Sequence, residues 1–157
     1  MVRYAYEDFA PGMVIELGTA HVDREEMLAF AQRFDPQPFH VDEEAAKNSV
    51  LGGLCASGWF TCSLWMKQNV LTILSDSTSQ GSPGGRELAW PAPVFPGDDL
   101  RCVMHVLSTR VSAKRPGLGL VEFTGTANRT DPDGVERVVM RLTFTGIFRL
   151  RKDARHS

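Results

Sequence analysis

The chain has 157 residues and a formal net charge of −2, the size of a single domain and without the basic footprint that nucleic acid demands. Its hydrophobic fraction of 43% is ordinary for a globular protein, and no apolar stretch is long enough to cross a bilayer. Cys55, Cys62 and Cys102 are odd in number and lack metal-site spacing. With no positively charged leader expected ahead of an apolar run, they read as reduced core thiols of a cytoplasmic protein.

Met13 to Val22 is rich in aliphatic residues and predicts a first strand or an extended arm. Asp23 follows as an N-cap with Glu26 at capping-box spacing. Met27, Phe30, Ala31 and Phe34 recur at helical spacing, so a short amphipathic helix is expected, ending at Phe34 because Asp35 precedes a proline. Asp42 is placed to cap a second short helix over 43–48.

Between these helices lies Phe34-Asp35-Pro36-Gln37-Pro38-Phe39-His40. Each proline fixes its own φ and removes a donor, and each residue before a proline is pushed out of the α region. Asp35 and His40 are therefore expected in a set relation on a stiff, extended segment. A carboxylate and an imidazole held this way are what moving protons on and off water requires. Taken singly, Asp35 reads as a turn residue ending a helix and His40 as a cap partner or polar surface residue.

Ser57 is expected to cap the longest helix, running to about Leu74, with Gly52, Gly53 and Gly58 before or at its start. Trp59, Phe60, Leu64, Trp65, Val70 and Leu71 leave it few polar positions, and a helix apolar on nearly every side is expected to be central and buried. Ser75 to Gly85 reads as a mobile Ser/Gly loop. Strands are then predicted over 87–90, 100–113, 119–130 and 135–149. In the third of these, Val121, Phe123, Gly125 and Ala127 alternate with Glu122, Thr124, Thr126 and Asn128. Pro96-Gly97-Asp98 and Asp131-Pro132-Asp133-Gly134 read as turns. A long helix followed by long antiparallel strands suggests an α+β fold, a sheet wrapped around the helix, whose open edges would be hidden by pairing across a two-fold axis.

These residues carry a resemblance. The chain resembles the MaoC-like dehydratases, or (R)-specific enoyl-CoA hydratases, whose motif reads Gly-Asp-x-Asn-Pro-x-His; here Phe34 stands for the glycine and Gln37 for the asparagine, while Asp35 and His40 are kept. Gly53-Leu54-Cys55-Ala56-Ser57-Gly58-Trp59 and Trp90-Pro91-Ala92-Pro93-Val94-Phe95-Pro96-Gly97-Asp98 are further matching elements, in order, and the likeness runs from about Phe9 to Arg149. It implies a hot-dog fold and addition of water to a trans-2-enoyl thioester. Asp35 would then act as base, His40 would orient the water and share in proton transfer, and the Gly58 N–H would stabilise charge on the thioester oxygen. Gln37, Ser57 and Trp59 would contact substrate. The bland readings of Gly58 and of Trp59, Phe60, Trp65 and Met66 are tight packing at a helix start and core or pocket wall.

The resemblance further implies an acyl-CoA or acyl carrier protein thioester as partner, coenzyme A entering only as part of the substrate. No metal or redox cofactor is expected, nor nucleic acid or membrane as partner, and the assembly is expected to be a homodimer or a higher homo-oligomer. Arg86, Lys114 and Arg115 are cations that would meet coenzyme A phosphates or serve only solubility. His21 and His105 are expected to be structural. One domain is expected over residues 1–150, followed by a charged tail, 151–157, that includes His156 and is expected to be disordered. A hot-dog thioesterase and a non-catalytic acyl-thioester-binding domain are the alternative functions, discriminated by thiol release and by binding without turnover.

Overall fold

The computed structural model describes residues 1–151; residues 152–157, with His156 and most of the expected tail, lie outside the described residues. Arg151 is held in place, its guanidinium on Asp8 and its backbone N–H on Glu7. After a 3-10 turn at Tyr6–Asp8 come β1 (Val14–His21) and α1 (Arg24–Phe34). Asp23 Oδ2 accepts the Glu26 N–H at 2.9 Å, the Asp23 half of a capping box. The helix stops at Asp35, whose φ −151°, ψ 66° is non-helical, as the following proline requires.

The segment beyond differs from the extended reading. Gln37 is extended, but Pro38–Val41 closes into a one-turn helix, α2, with Pro38 at its first position. Proline is suited there because its φ is helical and its missing N–H would have had no partner. His40 is thus carried by a helical turn. Asp42 Oδ1 caps α3 (Glu43–Lys47) through the Ala45 N–H at 2.8 Å.

The long helix, α4, spans Gly58–Thr72. Phe60, Leu64 and Trp65 are buried beneath the sheet. The Trp65 indole lies on β4 (Leu118–Thr130) where Gly125 leaves room, since a Cβ there would fall inside the ring. Its Nε1–H reaches the Val103 carbonyl at 3.2 Å. Burying that ring contributes on the order of a few kcal/mol. The expectation that α4 is enclosed all round is corrected: Trp59 is 55% and Leu71 63% exposed, with Met66 and Val70 also open. Its apolar character therefore extends over a face that this chain does not cover.

The Ser75–Gly85 stretch is also not a free loop. Thr78 is buried and tied at both ends, its N–H to Tyr4 O and its hydroxyl to Arg149 O, while Gln80 N–H reaches Ile147 O. From Gly84 the chain is already strand β2 (Gly84–Ala89), three residues earlier than expected. Glycine at 85 is required because a Cβ would run into Thr143 O of the neighbouring strand. β3 (Asp99–Val111), β4 and β5 (Glu136–Arg149) follow as a meander. The Asp131–Gly134 turn between β4 and β5 has Gly134 at φ 85°.

The five strands form one antiparallel sheet in the order β1-β3-β4-β5-β2. Val121, Phe123 and Ala127 of β4, Met104 and Val106 of β3 and Met140 and Phe148 of β5 face the core that α4 fills. This is the wrapped-helix, hot-dog architecture the resemblance implies. β1 and β2 are the edges, and the β2 side chains from Gly84 to Leu88 are exposed.

Candidate active site

The segment from the end of α1 to α2 and the start of α4 meet at one place. Asp35, at the α1 stop, and His40, on α2, face each other with His40 Nε2 3.5 Å from Asp35 Oδ2. Both are largely enclosed, the side chains 16% and 9% exposed respectively. His40 Nδ1 lies 2.8 Å from the Cys55 carbonyl oxygen. That oxygen can only accept, so Nδ1 carries the proton and Nε2 is the atom presented to Asp35. The 3.5 Å separation is longer than a hydrogen bond, which leaves the pair free to share a third group.

Asp35 has two orienting donors. Ser57 Oγ donates to Oδ2 and Gln37 Nε2 to Oδ1, each at 2.7 Å. Burial pushes the carboxyl up, but the Gln37 and Ser57 hydrogen bonds and the attraction of the His40 ring outweigh it, and the group titrates below its ordinary value. Asp35 is accordingly an ionised acceptor at neutral pH. The Cys55 Sγ lies 3.6 Å from His40 Nδ1. Burial pushes that thiol up, and the nitrogen near it is the protonated one, so the two do not form a nucleophilic dyad.

Two residues that the sequence reading gives to the substrate, Ser57 and Gln37, both donate to Asp35. Ser57 occupies the N-cap position of α4 but makes no cap bond, and its fully buried hydroxyl is committed to Asp35. Gln37 is likewise a carboxylate partner, and it lines the same cavity as Asp35 and His40. The space beside Gly58 is filled by the Trp90 indole, whose Nε1–H donates to Gly58 O at 3.0 Å, so a Cβ on residue 58 would fall inside that ring. The Gly58 N–H, in the first turn of α4, has no acceptor among the described residues and stands at the positive end of the helix. Arg86 pairs with Glu122 of β4 at 3.1 Å.

Asp35, His40, Gly58 and Trp59 all line a cavity of about 590 Å³ walled by Phe39, Trp90, Pro91, Val94 and Val139. Sequence reasoning assigns no site role to Cys55 or Trp90, although both help form the site. Cys55 acts through its backbone, which no side-chain pattern reports. Trp90 had a signal, since it opens the third matching element.

An ionised carboxylate opposed to an imidazole, lining a largely apolar cavity beside a helix N-terminus, makes a candidate acid–base site on a hot-dog fold. Residues 8–124 match the MaoC like domain family, and the chain belongs to that family, with a hydratase/dehydratase fold. The MaoC-like dehydratase from Rhodospirillum rubrum is 36% identical, with a TM-score of 0.81 over 94% of this chain and 98% of that one. The uncharacterized protein YdeM of Bacillus subtilis (strain 168) is 30% identical over 119 residues, 73% of this chain and 80% of that protein. The R-hydratase PhaJ1 from Pseudomonas aeruginosa shares the fold, with a TM-score of 0.65 at 18% identity over 92% of this chain and 84% of its own. No helix among the described residues is long and apolar enough to cross a membrane.

Proposed function

We propose that the protein is a hydro-lyase that adds water to a trans-2-enoyl thioester to give a 3-hydroxyacyl thioester, or removes it in reverse. The observation that carries this reading is the opposed pair, Asp35 Oδ2 and His40 Nε2 at 3.5 Å, at a cavity whose walls suit an acyl chain. Water bound between the two gives a proton to Asp35 as its oxygen bonds to the β-carbon. The double-bond electrons move through the α-carbon to the thioester oxygen, where the Gly58 N–H and the α4 N-terminus stabilise the charge. The enolate then collapses as the α-carbon takes the proton back from Asp35, so one water is added and the carboxylate is restored. His40, fixed by Cys55 O, orients the water.

Coenzyme A or an acyl carrier protein enters as part of the substrate, and the scheme draws on no metal or redox cofactor. The kinship with a MaoC-like dehydratase and the fold shared with an R-hydratase support this chemistry. The cysteines are free thiols, which supports a reducing compartment, the cytoplasm. The open β2 edge and the exposed Trp59, Met66, Leu88 and Trp90 nearby support a homodimer that covers them.

The test follows loss of the conjugated enoyl absorbance with trans-2-enoyl-CoA thioesters, comparing wild type with Asp35→Asn and His40→Ala. Turnover by wild type, with a loss of about a hundredfold or more in each variant, is expected for an acid–base pair. Release of free thiol from saturated acyl-CoA would instead make the protein a thioesterase, and tight binding without turnover a binding subunit.

A further inference from the structure

We infer that Arg129 is a positioning residue for the acid–base pair: it fastens an irregular strap, 90–98, and the strap holds the short segment that orients His40 and Asp35. The inference rests on the hydro-lyase reading above.

The strap joins β2 to β3 and belongs to no helix or strand. Pro91, Pro93 and Pro96 have no N–H to give to a ladder, so its place depends on a few separate bonds. At its start the Trp90 indole donates to Gly58 O at 3.0 Å. At its end Asp98 Oδ2 accepts the Phe95 N–H at 2.9 Å, the Gly97 N–H donates to Val22 O, and the Val22 N–H donates to Asp98 O, the last two at 2.8 Å. Its middle is attached through two successive carbonyls. Pro93 O accepts from the Arg129 guanidinium, and Val94 O accepts the Ala56 N–H at 2.8 Å.

Arg129, near the end of β4, is itself held on several sides. Its Nε–H donates to Asp131 Oδ1 at 2.9 Å, its Nη1 lies 3.7 Å from Asp98 Oδ2, and its guanidinium stands 5.6 Å from the centre of the Phe95 ring. Only 14% of the side chain is exposed. One planar cation thus spans a carbonyl and two carboxylates, an arrangement that an ammonium, a point charge without the fork, does not reproduce.

Ala56 is where this support reaches the chemistry. Cys55, before it, accepts the His40 Nδ1–H at its carbonyl, and Ser57, after it, donates to Asp35 Oδ2. Residues 54–57 are buried but lie in no helix or strand, and among the described residues the bond to Val94 O is the one backbone–backbone bond made by 54–56. A strap released at Pro93 lets Val94 O withdraw from Ala56. His40 then loses the fixed acceptor that sets its tautomer, and Asp35 a fixed donor. Pro91 and Val94 also wall the cavity that the pair lines.

The test uses Arg129→Lys, which keeps a cation beside both carboxylates but lacks the fork, with Arg137→Gln as control. Arg137 shares Asp131, Nε to Oδ2 at 2.8 Å, yet has no bond to the strap among the described residues. The first readout is the pair of ring 15N shifts of His40 at alkaline pH, assigned by the signals missing in His40→Ala. Wild type is expected to show a protonated Nδ1 and a bare Nε2. In Arg129→Lys the two shifts are expected to converge as the other tautomer is populated, and in Arg137→Gln to stay at wild-type values. The second readout is turnover of trans-2-butenoyl-CoA, where kcat is expected to fall about tenfold or more in Arg129→Lys, by a larger factor than KM changes, and to stay within about twofold in the control. Arg129→Gln is expected to move both readouts in the same direction and serves if the lysine variant does not fold by circular dichroism.

His40 shifts unchanged in the Arg129 variants, shifts moved equally by Arg137→Gln, or a kcat no lower than the control's would each overturn the positioning role while leaving the hydratase standing. If wild type turns over no enoyl thioester, the hydratase reading fails, and the ring shifts alone decide whether Arg129 positions His40.

Discussion

The hydroxyl of Ser57 points away from the helix it begins and toward Asp35, twenty-two residues earlier, donating to Oδ2 at 2.7 Å. A serine at an N-cap would ordinarily satisfy a backbone N–H of its own first turn. Here that donor acts on the carboxylate, and the first-turn N–H groups of α4 stay available to an incoming anion.

Ser57→Ala tests that relationship through pH. The hydrogen bond favours the ionised carboxylate, so its loss raises the Asp35 pKa from its depressed position. The acid limb of the activity profile is expected to move to higher pH, and turnover at neutral pH to fall about tenfold. A depressed carboxyl contributes stability above its unfolded pKa that is lost as pH falls through the folded pKa. The variant should therefore be less stable than wild type at neutral pH and converge with it in acid. Activity lost without movement of the acid limb would assign Ser57 to packing alone.

Gln37→Glu replaces the second donor with a like charge, where Nε2 now sits 2.7 Å from Asp35 Oδ1. Two carboxylates at that distance cannot both ionise freely. The acid limb is expected to move up further than in Ser57→Ala, with a larger loss at neutral pH. Gln37→Asn, which keeps the amide on a shorter arm, should fall between wild type and the glutamate. A profile measured over the acid range in all three proteins decides the order.

Gly58→Ala separates the two roles at the helix start. A Cβ there meets the Trp90 ring directly, so Trp90 must leave its bond to Gly58 O. Overpacking of this kind costs about 1–3 kcal/mol, which urea unfolding followed by tryptophan fluorescence would read. Activity is expected to drop with it, because the cavity wall moves. Unchanged stability would show that the indole relocates without strain.

Leu88→Asp probes the proposed two-fold contact. Leu88 is 40% exposed on the β2 edge, and a charge on an edge strand opposes pairing with another. Sedimentation is expected to give twice the chain mass for wild type and the single-chain mass for the variant. A wild-type monomer would leave the exposed face of α4 without its proposed cover.

Where local chemistry decides a feature, it was legible in the sequence. The α1 boundaries follow from Asp23 and Pro36, the β4 facing pattern from alternation as far as Ala127, beyond which a register shift buries Asn128 as well, and the Asp131–Gly134 turn from its glycine. The α2 turn is not legible because Pro38 suits extended chain and the first position of a helix equally. The sequence marks Ser57 as the start of α4, but its partner Asp35 depends on tertiary placement that no local pattern reports. The Ser75–Gly85 composition suggested a loop, yet Thr78 and Gln80 are fastened by strands and termini far away in sequence. Composition could say that α4 is apolar nearly all round. It could not say which side its own chain covers.

The order of strands has a kinetic consequence. β3, β4 and β5 are joined by short turns, whereas His21 of β1 must find Asp99 of β3 across all four helices and β2. Closing so long a loop carries an entropic cost that local hairpins avoid. The meander should assemble first, with β1 docking later, where Leu17 O accepts the Thr72 hydroxyl of α4 at 2.8 Å. The strand that fastens the C-terminal end of α4 is thus the last to find its place, and it can do so only after the C-terminal strands have been made.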